Sequence, residues 1–189
     1  NRCFFVMPEN LELASKMVSD ERIDFLSFIG SAKVGWMLRS NLSPGTRCAL
    51  EHGGMAPTFL SETANINLAS KLIAKGGFYH AGQVCVSVQR IFVHRNILNS
   101  FLETFKKDVN SMKLGDPLNT KTGVGPLIRP SEVNRIESWV NESTTNGAKL
   151  LCGGKKVSET CFDKTVIINP KLTDKVSNFE IFGPVVNIY

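Results

Sequence analysis

Several features that would announce a simple protein class are missing from this sequence. It has no C-x-x-C pair: its five cysteines, at 3, 48, 85, 152 and 161, are odd in number and widely spaced. That pattern argues against a disulfide framework and a structural zinc site, and makes reduced thiols the default. No apolar run approaches the roughly 18–20 residues of a membrane helix. The stretch Phe4-Phe5-Val6 before Pro8 is too short for a signal peptide. Lys and Arg outnumber Asp and Glu by only 22 to 17, without a run of five basic residues. A net charge of +5 spread in this way suits an anionic small ligand better than a nucleic acid. Internal repeats and low-complexity tracts are absent too. The chain starts at Asn1 instead of Met, from which we expect further sequence upstream.

What remains is the composition of a globular protein, 42% hydrophobic and 21% charged, in a length that allows one domain or two small ones. Amphipathic helical patterns alternate with short β-branched or aromatic runs. Leu11, Leu13, Ala14, Met17 and Val18 predict a helix entered through Asn10. A buried strand over 24–29 then passes through Gly30-Ser31 into a helix near 32–41, and a strand follows at 47–50. Further strands are expected at 58–60, 88–94, 149–152, 164–168 and 185–189, with helices near 64–78 and 131–146. The clearest helical stripe lies in 95–113, where Ile97, Leu98, Phe101, Leu102, Phe105, Val109 and Met112 recur every three or four residues. Such alternation predicts an α/β fold with a largely parallel sheet.

Four places carry residues suited to chemistry. Cys85 ends Gly82-Gln83-Val84-Cys85, a helix-to-strand loop in which a glycine lets the backbone approach a ligand and backbone N–H groups can stabilise a thiolate. Glu51 precedes Gly53-Gly54 at a strand end, a position for a general base facing a cleft. Glu180 lies among apolar residues in Phe179-Glu180-Ile181-Phe182-Gly183-Pro184, so its charge needs a partner or a ligand. Gly30-Ser31 joins a strand to a helix N-terminus, where N–H groups and the helix dipole favour phosphate. It matches neither a Walker loop nor G-x-G-x-x-G, since Trp36 stands where a Walker loop needs its Lys-Ser or Lys-Thr. Read singly, each has an ordinary explanation as well: a small buried thiol, a solvated loop carboxylate, a plain βα turn. His80 and His94 flank Cys85, as a Cys–His hydrolase would require, but proximity in sequence does not imply contact. The other four cysteines have no such context.

Taken in order, the segments resemble the aldehyde dehydrogenase superfamily. The resemblance rests on Phe28-Ile29-Gly30-Ser31-Ala32-Lys33-Val34-Gly35, Leu50-Glu51-His52-Gly53-Gly54-Met55-Ala56-Pro57 and Gly82-Gln83-Val84-Cys85. It continues through Gly115-Asp116-Pro117, Gly123-Val124-Gly125-Pro126-Leu127 and Glu180-Ile181-Phe182-Gly183-Pro184-Val185. Glu51 and Cys85 stand 34 residues apart, the spacing of the family pattern.

The resemblance implies that residues 1–50 are the C-terminal part of a Rossmann-like dinucleotide-binding domain. Residues 51–189 would be most of a parallel-sheet catalytic domain, incomplete at its C-terminus. It also implies oxidation of an aldehyde to a carboxylic acid with NAD or NADP and no metal. Cys85 matches the nucleophile that forms a thiohemiacetal and then a thioester, and Glu51 the base that activates the hydrolytic water. The Cys85 backbone N–H would be half of the oxyanion hole. Glu180 matches the carboxylate on the nicotinamide ribose, and Gly30 and Ser31 the turn that receives the pyrophosphate. The whole protein would be a cytoplasmic homodimer or homotetramer acting on a small aldehyde, with no nucleic-acid or membrane partner. A coenzyme A-acylating relative and a non-catalytic homologue kept for assembly are the alternatives.

Departures from the family pattern are Ile29 where Thr is common, and His52 and Met55 beside the glycines. The Pro-Trp-Asn and Lys-Pro segments that supply the family's side-chain oxyanion donor and adenosine-ribose contacts do not occur in the sequence. The isolated 189 residues are therefore expected to be inactive.

Overall fold

The computed structural model describes residues 11–189, so Cys3 and the residues leading into the first helix lie outside the described part. The chain forms two compact units that divide between Gly53 and Gly54.

The first unit contains helix α1 (Leu11–Val18), strand β1 (Phe25–Gly30), helix α2 (Ala32–Ser40) and strand β2 (Arg47–His52). β1 and β2 pair in parallel, with Ile29 opposite Glu51 and Gly30 opposite His52. Ser31 caps α2 from an extended backbone, its hydroxyl accepting the Val34 N–H at 3.4 Å. A Ser cap of this kind satisfies one of the N–H groups a helix start leaves free, which is why the helix begins there.

The second unit is built on a five-stranded sheet. Its strands are β3 (Ala56–Leu60), β4 (Val88–Val93), β5 (Lys149–Cys152), β6 (Thr165–Ile168) and β7 (Val185–Ile188). Their order is β3-β4-β7-β6-β5, all parallel except the β5–β6 pair. The helices are α3 (Ile66–Phe78), α4 (Leu98–Ser111), α5 (Pro130–Thr145) and the single turn α6 (Lys175–Asn178). Pro130 opens α5, where a missing N–H costs nothing.

Burial follows the sequence periodicities. β6 and β7 are almost wholly buried, as expected for the centre of a mainly parallel sheet. The α4 stripe buries Phe101, Phe105 and Val109 completely, and the two phenylalanine rings stack at 5.1 Å. Together with Phe78, Ile91, Phe162, Ile167 and Ile188 they form one continuous core. Phe59, Phe92 and Tyr189 stack across β3, β4 and the end of β7 at 4.9 and 5.0 Å. Each such aromatic pair is worth about 0.5–1.5 kcal/mol beyond its buried area.

The predicted strands and helices all appear among the described residues, with ends displaced by a residue or two. Two features differ from a simple alternation. β5 runs antiparallel because Gly153 and Gly154, both at positive φ, begin a short return to β6. The segment predicted as one helix over 95–113 starts as a 3₁₀ turn, Arg95–Ile97, with His94 Nδ1 accepting the Asn96 N–H at 3.3 Å.

Candidate active site

Cys85 sits in the connection from α3 to β4. After Phe78 the chain turns sharply through Tyr79–Gly82, with His80, Ala81 and Gly82 all in the left-handed region at φ of 50, 54 and 70°. Strain of this kind persists only where surrounding structure enforces it. Here the enforcing contact is the Glu180-containing segment: a Cβ on Gly82 would overlap the Gly183 carbonyl oxygen. Only glycine permits that approach, so the Cys85 loop and the turn that carries Glu180 lie against each other.

Gln83 fixes the loop on its other side. Its amide donates to the carbonyls of His80 (3.1 Å) and Pro126 (3.2 Å), and its oxygen accepts the Ile128 N–H at 2.9 Å. Three of the segments singled out in the sequence, Gly82–Cys85, Gly123–Leu127 and Glu180–Val185, thus meet around one loop. The loop closes with the Ser87 N–H donating to the Val84 carbonyl at 3.0 Å, which leaves Cys85 exposed. Exposure separates this thiol from Cys48, Cys152 and Cys161, which are partly buried. Burial pushes the Cys152 thiol above its ordinary pKa, away from the reactive thiolate. Among the described residues neither flanking histidine is hydrogen-bonded to Cys85; His94 Nδ1 instead caps its own 3₁₀ turn. No contact thus supports the Cys–His hydrolase arrangement.

Glu180 is half-buried in the turn between α6 and β7. Burial raises its pKa above the ordinary carboxylate value, and the Arg135 guanidinium partly offsets the rise. Arg135 reaches this turn from α5, donating to the Ile181 carbonyl at 2.7 Å and to Glu132 at 2.8 Å while lying over the Trp139 ring. The turn is close-packed, since a Cβ on Gly183 would overlap Ile136 of α5. Phe182 takes a left-handed φ of 49° beside it.

Gly30, Ser31 and Glu51 belong to the first unit. Gly30 ends β1, Ser31 caps α2, and the first turn of α2 holds Lys33 and no acidic residue, a charge pattern suited to an anion. Glu51 is exposed near the end of β2. Among the described residues no group of three or more His, Cys, Asp or Glu is arranged to hold a metal, and no helix is long and apolar enough to cross a membrane.

The sequence by itself assigns no role to Gln83, Gln89 or Arg135. A signal for Gln89 was present: in Val88-Gln89-Arg90-Ile91-Phe92-Val93, strand alternation puts it on the same face as buried Ile91.

Known proteins similar to this chain fall in one family. The aldehyde dehydrogenase family model matches residues 3–189. A 3-sulfolactaldehyde dehydrogenase of Priestia aryabhattai is 34% identical over 180 residues, covering 95% of this chain and 37% of the relative. Among solved structures, a glyceraldehyde-3-phosphate dehydrogenase of Methanocaldococcus jannaschii complexed with NADP superposes with a TM-score of 0.89. It is 34% identical, over 93% of this chain and 38% of that one. A betaine aldehyde dehydrogenase of Staphylococcus aureus complexed with NAD+ gives 0.87 at 32% identity, over 94% and 36%. The chain belongs to the aldehyde dehydrogenase family and spans somewhat over a third of the length of these relatives.

Proposed function

We propose that the whole protein containing this chain oxidises an aldehyde to a carboxylic acid with NAD or NADP, using Cys85 as nucleophile. The observation that carries this reading is the Cys85 loop: an exposed thiol on a strained turn, pressed through Gly82 against the segment that holds Glu180. Family membership and the cofactors named for the solved relatives support it.

Each unit by itself carries groups suited to part of a dinucleotide. The capped N-terminus of α2, with Lys33 and no acidic residue in its first turn, suits a pyrophosphate through Gly30 and Ser31. Glu180, partly desolvated, is an acceptor for ribose hydroxyls. The bound nicotinamide supplies a hydride acceptor. Within the protein, the Cys85 thiolate adds to the aldehyde carbon, and the oxygen of the resulting thiohemiacetal gains negative charge facing the Cys85 N–H. Once this adduct is oxidised, Cys85 holds a thioester. Glu51 takes a proton from water, whose attack frees the carboxylate and returns the thiolate. A carboxylate in this role favours water over coenzyme A as the acyl acceptor. The same reading makes the whole protein a cytoplasmic homodimer or homotetramer.

One assay tests the scheme: aldehyde-dependent formation of NADH or NADPH, with 3-sulfolactaldehyde, glyceraldehyde 3-phosphate and betaine aldehyde as trial substrates. In the whole protein Cys85→Ala abolishes turnover, while added coenzyme A leaves the product a free acid. The 189-residue chain alone is inactive in the same assay. Substantial turnover by Cys85→Ala would remove the nucleophile assignment, and an acyl-coenzyme A product would reassign the acceptor.

A further inference from the structure

Gln89 is 4% exposed in β4, four residues after Cys85, and has a polar side chain in the core of the second unit. A buried amide costs free energy unless its donors and acceptor are matched. Here they are matched at three points of one segment. Nε2 donates to the carbonyls of Val176 (2.9 Å) and Phe179 (2.8 Å), and Oε1 accepts the Ile181 N–H at 2.9 Å. Two carbonyls on one side and an N–H on the other fix the orientation of the amide.

The pattern has a particular consequence for residue 180. The Phe179 carbonyl belongs to the peptide plane before Glu180, and the Ile181 N–H to the plane after it. One side chain, some ninety residues away in sequence, pins both planes. The two backbone dihedrals of Glu180 are the rotations between those planes, so Gln89 sets the direction in which the Glu180 side chain leaves the backbone. The bond to Val176 is not what distinguishes this residue, since Asn187 donates to the same carbonyl at 2.6 Å. Only the bonds to Phe179 and Ile181 bracket Glu180. Because β4 begins three residues after Cys85, the strand that follows the nucleophile's loop carries the clasp.

We infer that Gln89 is a positioning residue for Glu180, coupling the β4 strand that follows Cys85 to the carboxylate that receives the cofactor ribose. The inference rests on the cofactor role proposed above for Glu180.

The test uses the whole protein, with NADH and NADPH as fluorescent probes of binding and iodoacetamide as a probe of the Cys85 thiol. Gln89→Leu leaves the Phe179 carbonyl and the Ile181 N–H unmatched, while the Val176 carbonyl keeps its bond from Asn187, and Gln89→Glu in its neutral form keeps the acceptor and one donor. Losing such bonds to buried groups weakens cofactor binding about tenfold in Gln89→Leu and about threefold in Gln89→Glu. Glu180→Gln weakens it as well. The aldehyde KM and the alkylation rate of Cys85 stay within about twofold in both Gln89 variants, which a general packing defect would not allow. If Gln89→Leu does not fold, Gln89→Glu alone decides. Unchanged cofactor affinity in the folded Gln89 variant, beside weakened affinity in Glu180→Gln, overturns the positioning role and spares the reading of Glu180. Equal losses of cofactor binding, aldehyde KM and thiol reactivity overturn it too, as would unchanged affinity in Glu180→Gln, which removes the premise.

Discussion

Among single residues, Gly82 carries the most geometry for the least chemistry. It combines a φ of 70° with a contact that leaves no room for a side chain, since its hypothetical Cβ would overlap the Gly183 carbonyl oxygen. Gly147 is the natural comparison, with a φ of 103° and nothing within 4 Å of its hypothetical Cβ. Gly147→Ala therefore adds only backbone strain, about 1 kcal/mol or slightly more. Gly82→Ala must in addition push the Glu180 turn away from the Cys85 loop, and we expect a loss of about 3 kcal/mol or more in urea unfolding. In the whole protein the same change lowers turnover by displacing Cys85. Equal stability losses at the two glycines would mean that the Gly82–Gly183 contact relaxes freely. The sequence shows two glycines near a cysteine and a carboxylate; their mutual approach is long-range and leaves no trace in local spacing.

At the level of elements, strands and helices were readable because each has a period and a stop. The α4 stripe repeats at three and four residues, Asn146-Gly147 ends α5, and the apolar runs of β6 and β7 mark strands buried on both faces. The 3₁₀ turn at Tyr79–Gly82, the one-turn α6 and the reversed β5 were not readable, because tertiary contacts and not periodicity produce them. Candidate residues followed the same division. Cys85, Glu51 and Glu180 stand out by type and context, whereas Gln83 and Gln89 act through backbone groups some 45 and 90 residues away. Glu180 in its turn makes a pH prediction. Burial raises its pKa in the folded state, so over the interval between the ordinary value and the raised one the folded chain holds more protons than the unfolded. Stability therefore falls as pH rises through that interval. Glu132 works in the opposite sense, since Arg135 first and Arg129 second lower its pKa, and its contribution is lost as pH falls. Glu180→Gln removes only the first effect. In urea titrations from acid to neutral pH the variant gains on the parent chain as pH rises. A constant difference across the series would mean that the carboxylate titrates normally in the fold.

Across the whole molecule the apolar burial is uneven. Among the described residues, Val18 and Leu38 are the only buried hydrophobic side chains of the first unit, while twenty-two others form the continuous core of the second. A two-stranded parallel sheet is a weak structure by itself, because parallel strands normally depend on cover over both faces. Stability should divide accordingly, with the first unit opening at a free energy well below that of the second. Hydrogen exchange on the 189-residue chain reads this directly. Amides in β1 and β2, such as those of Phe28 and Leu50, exchange through low-energy openings and lose protection first. Those of Ile167 in β6 and Val186 in β7 exchange only with unfolding of the second unit. Equal protection in the two sheets would show that one cooperative transition holds the chain together. The expected inequality has a functional side, because Gly30, Ser31 and Glu51 all belong to the less stable unit and Cys85 and Glu180 to the more stable one. A ligand that binds only the folded form of the first unit stabilises it by mass action, in proportion to the logarithm of its concentration over Kd. The amides of β1 and β2 thus report cofactor capture by Gly30 and Ser31 without any turnover. Protection of β1 and β2 that rises with NAD or NADP, and is lost when Ser31 or Lys33 is replaced, supports the pyrophosphate at the N-terminus of α2; unchanged protection argues against it.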